Sequence, residues 1–254
     1  MRDEQMDVLK PEALGLTETL GMLLPGQEAS LTAERLFDVL TSADAQQARS
    51  LLVASYLRGA SLSTLCDESV RGALHHIGTL WSEHATEGTG RDEARGIFIE
   101  HQATDLVAQA FGQIRSLMPD APEDAPVALG GAPAGDPYLL PSQMAAAVLA
   151  DVGYRVVNLG ADTPARSLVE AARAHAPALV WLSISSPVPS DELVAQIREL
   201  AAMLPTGTHI VAGGRSQEGV HELEDELPHF HVGNTMAELA DLARVVMAQV
   251  AADA

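Results

Sequence analysis

The sequence predicts a chain of two parts: a bundle of four or five helices, followed by a doubly wound α/β domain with a five-stranded parallel sheet. Residues before about 118 place apolar side chains at helical spacing and show almost no strand pattern. After residue 126, short apolar runs alternate with helical patterns, which is typical of βαβ units. Between the two parts, residues 119–126 read PDAPEDAP, a composition that predicts an extended linker. The predicted domains are therefore 1–118 and 127–254.

The first part consists of amphipathic segments separated by short breaks. Its predicted helices span residues 11–24, 32–40, 43–58, 61–87 and 91–117. Ser30 or Thr32 supplies a cap for the second of them, and Gly59 ends the third. Cys66 is the only cysteine, which excludes an internal disulfide and a cysteine-rich metal site. Because it falls on the apolar stripe of the fourth helix, we expect it to pack in the core.

The second part alternates strands with helices. The predicted strands are 127–129, 154–159, 179–184, 209–212 and 230–232, and the predicted helices are 141–152, 165–175, 190–204, 217–227 and 236–252. Right-handed crossovers between these strands give a flavodoxin-like, Rossmann-like sheet. Such sheets bind ligands beyond the carboxyl ends of their strands. We therefore expect the chemistry in the loop from Gly135 to Pro141, which follows the first strand.

Composition excludes several classes of function. The formal net charge is −20 and no basic cluster offsets it, so direct nucleic-acid binding is not expected. The acidity indicates either a solubilised surface or an acidic face for a basic protein partner. No apolar run approaches a membrane span and residues 1–10 are too charged for a signal peptide, which predicts a cytoplasmic chain without membrane contact. A homo-oligomer is compatible with the sequence. No Ser-His-Asp order, phosphate loop or zinc spacing is present, so no enzyme is predicted.

Three motifs resemble the cobalamin-binding Rossmann-like domain family, whose signature is D-x-H-x-x-G after the first strand, then S-x-L or S-x-T, then G-G. This chain has Asp136-Pro137-Tyr138-Leu139-Leu140-Pro141, Ser183-Ile184-Ser185 and Gly213-Gly214 in the corresponding places, and Gly153–Pro164 resembles the family's second strand and turn. The chain departs from the pattern twice. Tyr138 stands in place of the cobalt-ligating histidine, and Pro141 in place of the glycine that lets the ligand's nucleotide tail pass.

The resemblance implies a role for each motif, beside an ordinary structural one. Tyr138 either faces the lower side of a bound ring, as a poor cobalt ligand, or packs on the first helix. Asp136 either keeps its family position beside a cobalt ligand or satisfies loop amides. Ser183 and Ser185 either reach the ligand or form a turn before a proline. The Gly213-Gly214 pair is expected to let the backbone approach a planar group closely.

The order of a bundle, an acidic linker and this α/β domain resembles corrinoid proteins of methyltransferases and light-sensing, cobalamin-dependent regulators. Residues 74–84, LHHIGTLWSEH, are similar to the regulators' helix whose tryptophan shields the upper side of the ring. The resemblance makes Trp81 that lid, although a core position is the alternative. Glu93 matches half of the regulators' glutamate–histidine pair. His84 and His101 are candidates for reaching a metal from above, or else are solvated. The regulators' amino-terminal DNA-binding headpiece has no counterpart here.

The leading hypothesis is a non-enzymatic sensory or regulatory module that binds cobalamin, or another tetrapyrrole such as a bilin or heme, between bundle and sheet. It would act through a regulatory protein partner, as a photoreceptor or a cofactor-responsive element of transcription regulation. One alternative is a corrinoid carrier of a methyltransferase system that binds its cofactor without a lower ligand from the protein. The other is a domain without cofactor that serves as an interaction scaffold.

Overall fold

The computed structural model of the chain describes residues 31–42, 45–87, 90–187, 189–217 and 219–253, with the side chains of 45–46, 81–93 and 253 excepted. Contacts divide the chain into two compact units. One unit consists of residues up to 61 together with 68–114, and the other of residues 62–67 together with 115–254. The helix predicted at 11–24 lies outside the described residues.

The described residues of the first part of the chain are mainly helical, as their periodicity predicts. Its helices are α1 (Ala33–Ser42), α2 (Ala45–Leu57), α3 (Leu62–Thr64), α4 (Arg71–Glu87) and α5 (Gly90–Leu117), with a π-helix at Leu65–Val70 between α3 and α4. Thr32 is the cap of α1, since its hydroxyl oxygen accepts a hydrogen bond from the Arg35 amide at 3.2 Å. Helix α1 packs against α2 and α4. It does so through apolar side chains such as Leu36 and Leu40, which are buried.

A π-helical turn interrupts the fourth predicted helix. Cys66 lies in this turn and is fully buried, which confirms that it packs in the core. Burial raises the pKa of its thiol well above the ordinary value, and the neighbouring carboxylate of Asp67 adds to the shift. The thiol is therefore protonated and unreactive at neutral pH. Apolar periodicity did not predict the turn, because one wider turn displaces an apolar stripe by only one position.

The second unit contains a five-stranded, all-parallel sheet, which confirms the predicted fold class. Its strands are β1 (Val127–Gly131), β2 (Arg155–Asn158), β3 (Leu179–Ser183), β4 (His209–Gly213) and β5 (Phe230–Gly233). They pair in the order β2-β1-β3-β4-β5. Strands β1 and β3 are buried at every residue, whereas the edge strand β2 is partly exposed. Continuous burial of the inner strands follows from helices on both faces of the sheet.

These helices are α6 (Leu139–Val152), α7 (Ala165–His175), α8 (Ser190–Met203), α9 (Leu223–Glu226) and α10 (Met236–Asp253). Helices α6 and α10 cover the face that carries Ala128, Trp181 and Val211. Helices α7 and α8 cover the other face, which carries side chains such as Leu129 and Leu182. Successive residues of each strand point to opposite faces, so both cores draw on the same strands.

Three predicted details change. Helix α6 begins at Leu139, so Pro141 lies within its first turn, where an amide has no intrahelical partner. The helix predicted over 217–227 is reduced to α9, because Gly219 takes a φ of +93° and turns the chain before it. The predicted extended linker contains a turn, in which the Ala125 amide donates to the Pro122 carbonyl at 3.0 Å. Its role as a domain boundary stays a prediction.

Asp67 caps helix α10 from a distant part of the sequence. Its Oδ1 accepts a hydrogen bond from the Met236 amide and its Oδ2 one from the Ala237 amide, each at 2.9 Å. First-turn amides lack intrahelical acceptors, and the helix dipole favours a carboxylate beside them. Residues 62–67 belong to the same compact unit as α10. Asp67 therefore anchors this short segment to the α/β unit.

Replacing Asp67 with alanine is expected to lower the free energy of unfolding by about 1–2 kcal/mol, because two first-turn amides lose their acceptor. Urea unfolding followed by circular dichroism measures this change. The matched control is Glu68→Ala, which removes an exposed neighbouring carboxylate and is expected to change the same quantity by less than about 0.5 kcal/mol. Equal effects of the two substitutions would contradict the cap.

Candidate functional site

The candidate site lies at the carboxyl ends of β1 and β3. Strand β1 pairs with β2 on one side and with β3 on the other. The helix after β1 packs on one face of the sheet and the helix after β3 on the opposite face. The two loops therefore diverge where they begin, and such a switch point is where α/β sheets place their ligands.

Asp136 is the buried centre of this site. Its side chain is 0% exposed. One carboxylate oxygen accepts a hydrogen bond from the Tyr138 amide at 3.0 Å. The other accepts hydrogen bonds from the amides of Ser185 and Ser186, the latter at 2.9 Å. Asp136 thus satisfies loop amides, which belong to the loops after β1 and β3, and its family position beside a cobalt ligand stays a prediction.

The same residue also connects the loop after β2. The Asp136 carbonyl accepts a hydrogen bond from the Asp162 amide at 2.8 Å. In return, the Asp162 carboxylate accepts one from the Gly135 amide, also at 2.8 Å. Three loops at the same edge of the sheet are thus held together around one aspartate.

Tyr138 lies at the surface of this edge, where it is 43% exposed. The guanidinium carbon of Arg215 lies 5.0 Å from the centre of its ring, within the range of a cation–π contact. Arg215 also donates through Nε to the Ser185 carbonyl at 2.8 Å, and the Ser216 hydroxyl donates to the same carbonyl at 3.1 Å. The sequence did not indicate Arg215 as a site residue, although it follows the Gly213-Gly214 pair directly.

The two predicted serines play different parts. Ser183 ends β3 and Ser185 follows in the loop, and both are buried. Ser185 acts through its backbone, with its amide on Asp136 and its carbonyl bound by Arg215. Within the described residues, neither serine hydroxyl makes a hydrogen bond.

The predicted glycine pair is required by the chain's own backbone. Gly214 has a φ of +129°, and a Cβ there would lie 2.2 Å from the Ile184 carbonyl oxygen. A Cβ on Gly213 would lie 2.9 Å from the Gly233 carbonyl oxygen. The Ile184 amide also donates to the Gly213 carbonyl at 2.7 Å. Neighbouring backbone, rather than open space, occupies the volume that these glycines leave.

Trp181 is a residue that sequence reasoning missed. It is 2% exposed, and its ring lies against β1, where a Cβ on Gly130 would be 2.4 Å from the indole Cδ2. Its Nε1 donates to the Ser142 hydroxyl at 3.2 Å, and that hydroxyl donates to Asn158 Oδ1 at 2.8 Å. The one available signal was a glycine at the end of β1, which permits a large neighbour.

The bundle residues singled out from the sequence are only partly observable. Trp81 and His84 lie in α4 and Glu93 lies in α5, but their side chains are outside the described part of the chain. His101 is exposed on α5. The upper-side roles of these four residues stay predictions.

A second group of titratable side chains lies near the amino ends of β4 and β5, away from the carboxyl ends that form the candidate site. His209 and His231 approach within 3.1 Å through Nδ1 and Nε2, and the His229 ring lies 4.6 Å from that of His209. Burial lowers the pKa of both His209 and His231, and the neighbouring histidine charges lower it further. Within the described side chains, no three such residues are placed to hold a metal ion.

The fold and this site define a class: doubly wound α/β domains that hold a ligand above the switch point of a parallel sheet. Residues 126–243 match the family model of the B12 binding domain. This part of the chain therefore belongs to the B12-binding domain family, and the match supports cobalamin as its cofactor. No curated protein matches the chain. Of the described helices, none is long and apolar enough to cross a membrane.

Three solved structures are similar to this chain to different degrees. The monomethylamine corrinoid protein of Methanosarcina barkeri is 17% identical, with a TM-score of 0.57 over 84% of this chain and 97% of that chain. A cobalamin-binding protein from Desulfitobacterium hafniense DCB-2 is 12% identical, with a TM-score of 0.41 over 83% and 96%. The methanol:cobalamin methyltransferase complex MtaBC of Methanosarcina barkeri is 14% identical, with a TM-score of 0.44 over 96% and 94%. The first shows that the fold extends over most of the chain.

The residues at the edge of the sheet fit the flat face of a corrin ring. Tyr138, Leu139 and Arg215 are all exposed there, and they offer an aromatic surface, an apolar surface and guanidinium donors. A corrin ring combines an apolar face with peripheral amide groups, which such a surface can hold. A ligand group could not enter the sheet beside Gly130 or Gly214, because atoms of Trp181 and Ile184 already occupy the space there.

Proposed function

We propose that this chain is a corrinoid carrier, which binds a corrinoid over the carboxyl edge of its sheet and presents it to a partner enzyme of a methyltransferase system. The observation that carries the proposal is the convergence of the family's motif residues, Asp136, Tyr138, Ser185 and Gly214, at one switch point. Similarity to a corrinoid protein along most of both chains supports the carrier over a module with another output.

Each residue at the edge has a physical task in this proposal. Asp136 holds the loops after β1 and β3 at a constant separation, so the surface is ordered before a ligand arrives. Arg215 is held by the Ser185 carbonyl and the Tyr138 ring, which positions its remaining donors for ligand amides. When bound, a corrinoid supplies a cobalt centre that accepts and releases one-carbon groups. The chain itself performs no catalysis in this proposal.

Tyr138 replaces an imidazole with a phenol at the position that, in the family, supplies the lower ligand of the cobalt. Tyr138 is a weak ligand for cobalt, and its ring already contacts a guanidinium. We therefore propose that no protein side chain coordinates the lower side of the metal. The sensory hypothesis rests on Trp81 and its neighbours, whose side chains are outside the described part, and no other observation favours a photoreceptor.

The carrier needs a partner protein. With a net charge of −20, the chain favours a partner whose docking face is basic, since opposite charges accelerate encounter. A regulatory partner and the absence of nucleic-acid binding stay predictions from the sequence alone.

The test is retention of ligand by the purified full-length chain. We expect aquacobalamin to remain bound through gel filtration, with its visible absorption bands, whereas hemin and biliverdin are not retained. Arg215→Ala is expected to weaken corrinoid binding about tenfold, since a charged donor is lost at an ordered edge. The matched control is Arg244→Ala, which removes an exposed arginine from α10. Failure to retain any corrinoid would favour the scaffold alternative.

A further inference from the structure

Trp181 fills the space between the start of helix α6 and strands β1 and β3. Its ring lies on the side of the sheet that α6 covers. A Cβ on Gly130 would meet the ring at 2.4 Å, so the indole lies directly on the backbone of β1. Ser183, two residues later, points to the same face about 6–7 Å nearer the ligand edge. The indole therefore lies one step deeper than Ser183 on this face of the sheet.

Hydrogen bonds fix the indole in this position. Trp181 Nε1 donates to the hydroxyl of Ser142, which is fully buried in the first turns of α6 and directly follows Pro141. That hydroxyl donates to Asn158 Oδ1, which also accepts from the Gly160 amide at 3.0 Å. Moving the ring would break this network and leave buried polar groups without partners, which is costly. The indole is thus a fixed part of the core.

One route for a ligand tail that extends downward from the carboxyl edge lies between α6 and the sheet, on the face that carries Trp181. The contact between Trp181 and Ser142 joins these two layers, and the contact with Gly130 joins the ring to the neighbouring strand. Pro141 precedes Ser142 in the first turn of the same helix, and it carries a rigid ring where a glycine would have no side chain. On the opposite face, a cavity lined by residues such as Leu168 and Leu182 has a volume of about 10 Å³, room for one water at most.

We propose that Trp181 closes this passage, so that the chain recognises the corrin ring and not the nucleotide tail. This inference rests on the proposed corrinoid-binding function and defines its specificity. Cobinamide, which lacks the nucleotide, should then bind about as tightly as cobalamin. A protein that buried the tail would instead favour cobalamin by roughly 100-fold or more, given the apolar area of a benzimidazole.

The experiment measures the dissociation constants of aquacobalamin and diaquacobinamide for the full-length chain by absorbance titration. We expect cobalamin to bind less than tenfold more tightly than cobinamide. A preference for cobalamin of tenfold or more would overturn the inference while leaving the carrier proposal in place. Binding of neither corrinoid would overturn both, so the two failures are distinguishable.

Two substitutions sharpen the test. Trp181→Ala opens the passage and is expected to create a preference for cobalamin of at least tenfold, most clearly together with Pro141→Gly. Trp181→Phe is the matched control, because it keeps an aromatic ring in the space and is expected to leave the ratio unchanged. Circular dichroism establishes that each variant is folded. If Trp181→Ala does not fold, the ratio measured on the unsubstituted chain decides the question.

Discussion

Replacing Asp136 with alanine is expected to lower the free energy of unfolding by about 3–5 kcal/mol. The carboxylate accepts hydrogen bonds from the amides of Tyr138, Ser185 and Ser186. Alanine would leave these three amides without their acceptor, one of them buried and two partly buried, and an unpaired buried group costs about 1–3 kcal/mol. Urea unfolding monitored by circular dichroism measures the loss.

A matched pair of conservative changes isolates the cause. Asp136→Asn replaces one acceptor oxygen with a donor that faces an amide, so we expect a loss of about 2 kcal/mol. Asp162→Asn makes the same chemical change one loop away, where asparagine also tolerates the observed φ of 50°. Its expected effect is below about 0.5 kcal/mol, because an exposed group can be solvated. An Asp136→Ala variant as stable as the unsubstituted chain would exclude the proposed role of this carboxylate.

Gly214→Ala is the second change with a large expected effect, a loss of more than about 3 kcal/mol in the free energy of unfolding. The added Cβ would lie 2.2 Å from the Ile184 carbonyl oxygen, and the φ of +129° is unsuitable for an L side chain. Backbone atoms cannot move aside as a flexible side chain can. The Ile184 amide and carbonyl are further tied to Gly213 and Ser216.

Gly207→Ala separates backbone strain from steric overlap. Gly207 also has a positive φ, of 86°, but a Cβ added there would have nothing within 4 Å, so only strain of about 1–2 kcal/mol is expected. Thermal unfolding of the two variants makes the comparison. Equal stability of the two variants would show that the backbone relaxes around residue 214. Steric overlap would then not explain the glycine, and close approach of a ligand would be the remaining reason for it.

Local pattern was sufficient for most of the fold. Strand and helix periods alternate visibly after residue 126, and the inner strands have continuous apolar sequences because both of their faces are covered. The site could also be located, since a parallel sheet brings the ends of its strands to one edge. Asp136 was therefore identified in advance as a residue of that edge. Its hydrogen-bond partners could not be, because Ser185 and Ser186 lie about fifty positions away.

Other features arise from packing between distant segments. The length of a helix after β4 depended on the φ of Gly219, which ended a pattern that looked helical. The contact of Arg215 with Tyr138 joins two loops whose separation is decided by the sheet order. The cap of α10 by Asp67 joins residues about 170 positions apart. In the last two cases the residues adjacent in the sequence do not reveal the contact, because the partner belongs to a distant segment.

The sequence by itself determined the helical region, the parallel sheet, the edge at which a ligand is expected and the replacement of a histidine by Tyr138, because periodicity and motifs are local properties. Only the tertiary structure decided that Trp181 lies between Ser142 and Gly130. The sequence shows that an apolar residue in a strand will be buried, but it does not show which space the side chain will fill. Which space a side chain fills depends on the neighbouring strand and the covering helix, and these meet only when the sheet has formed.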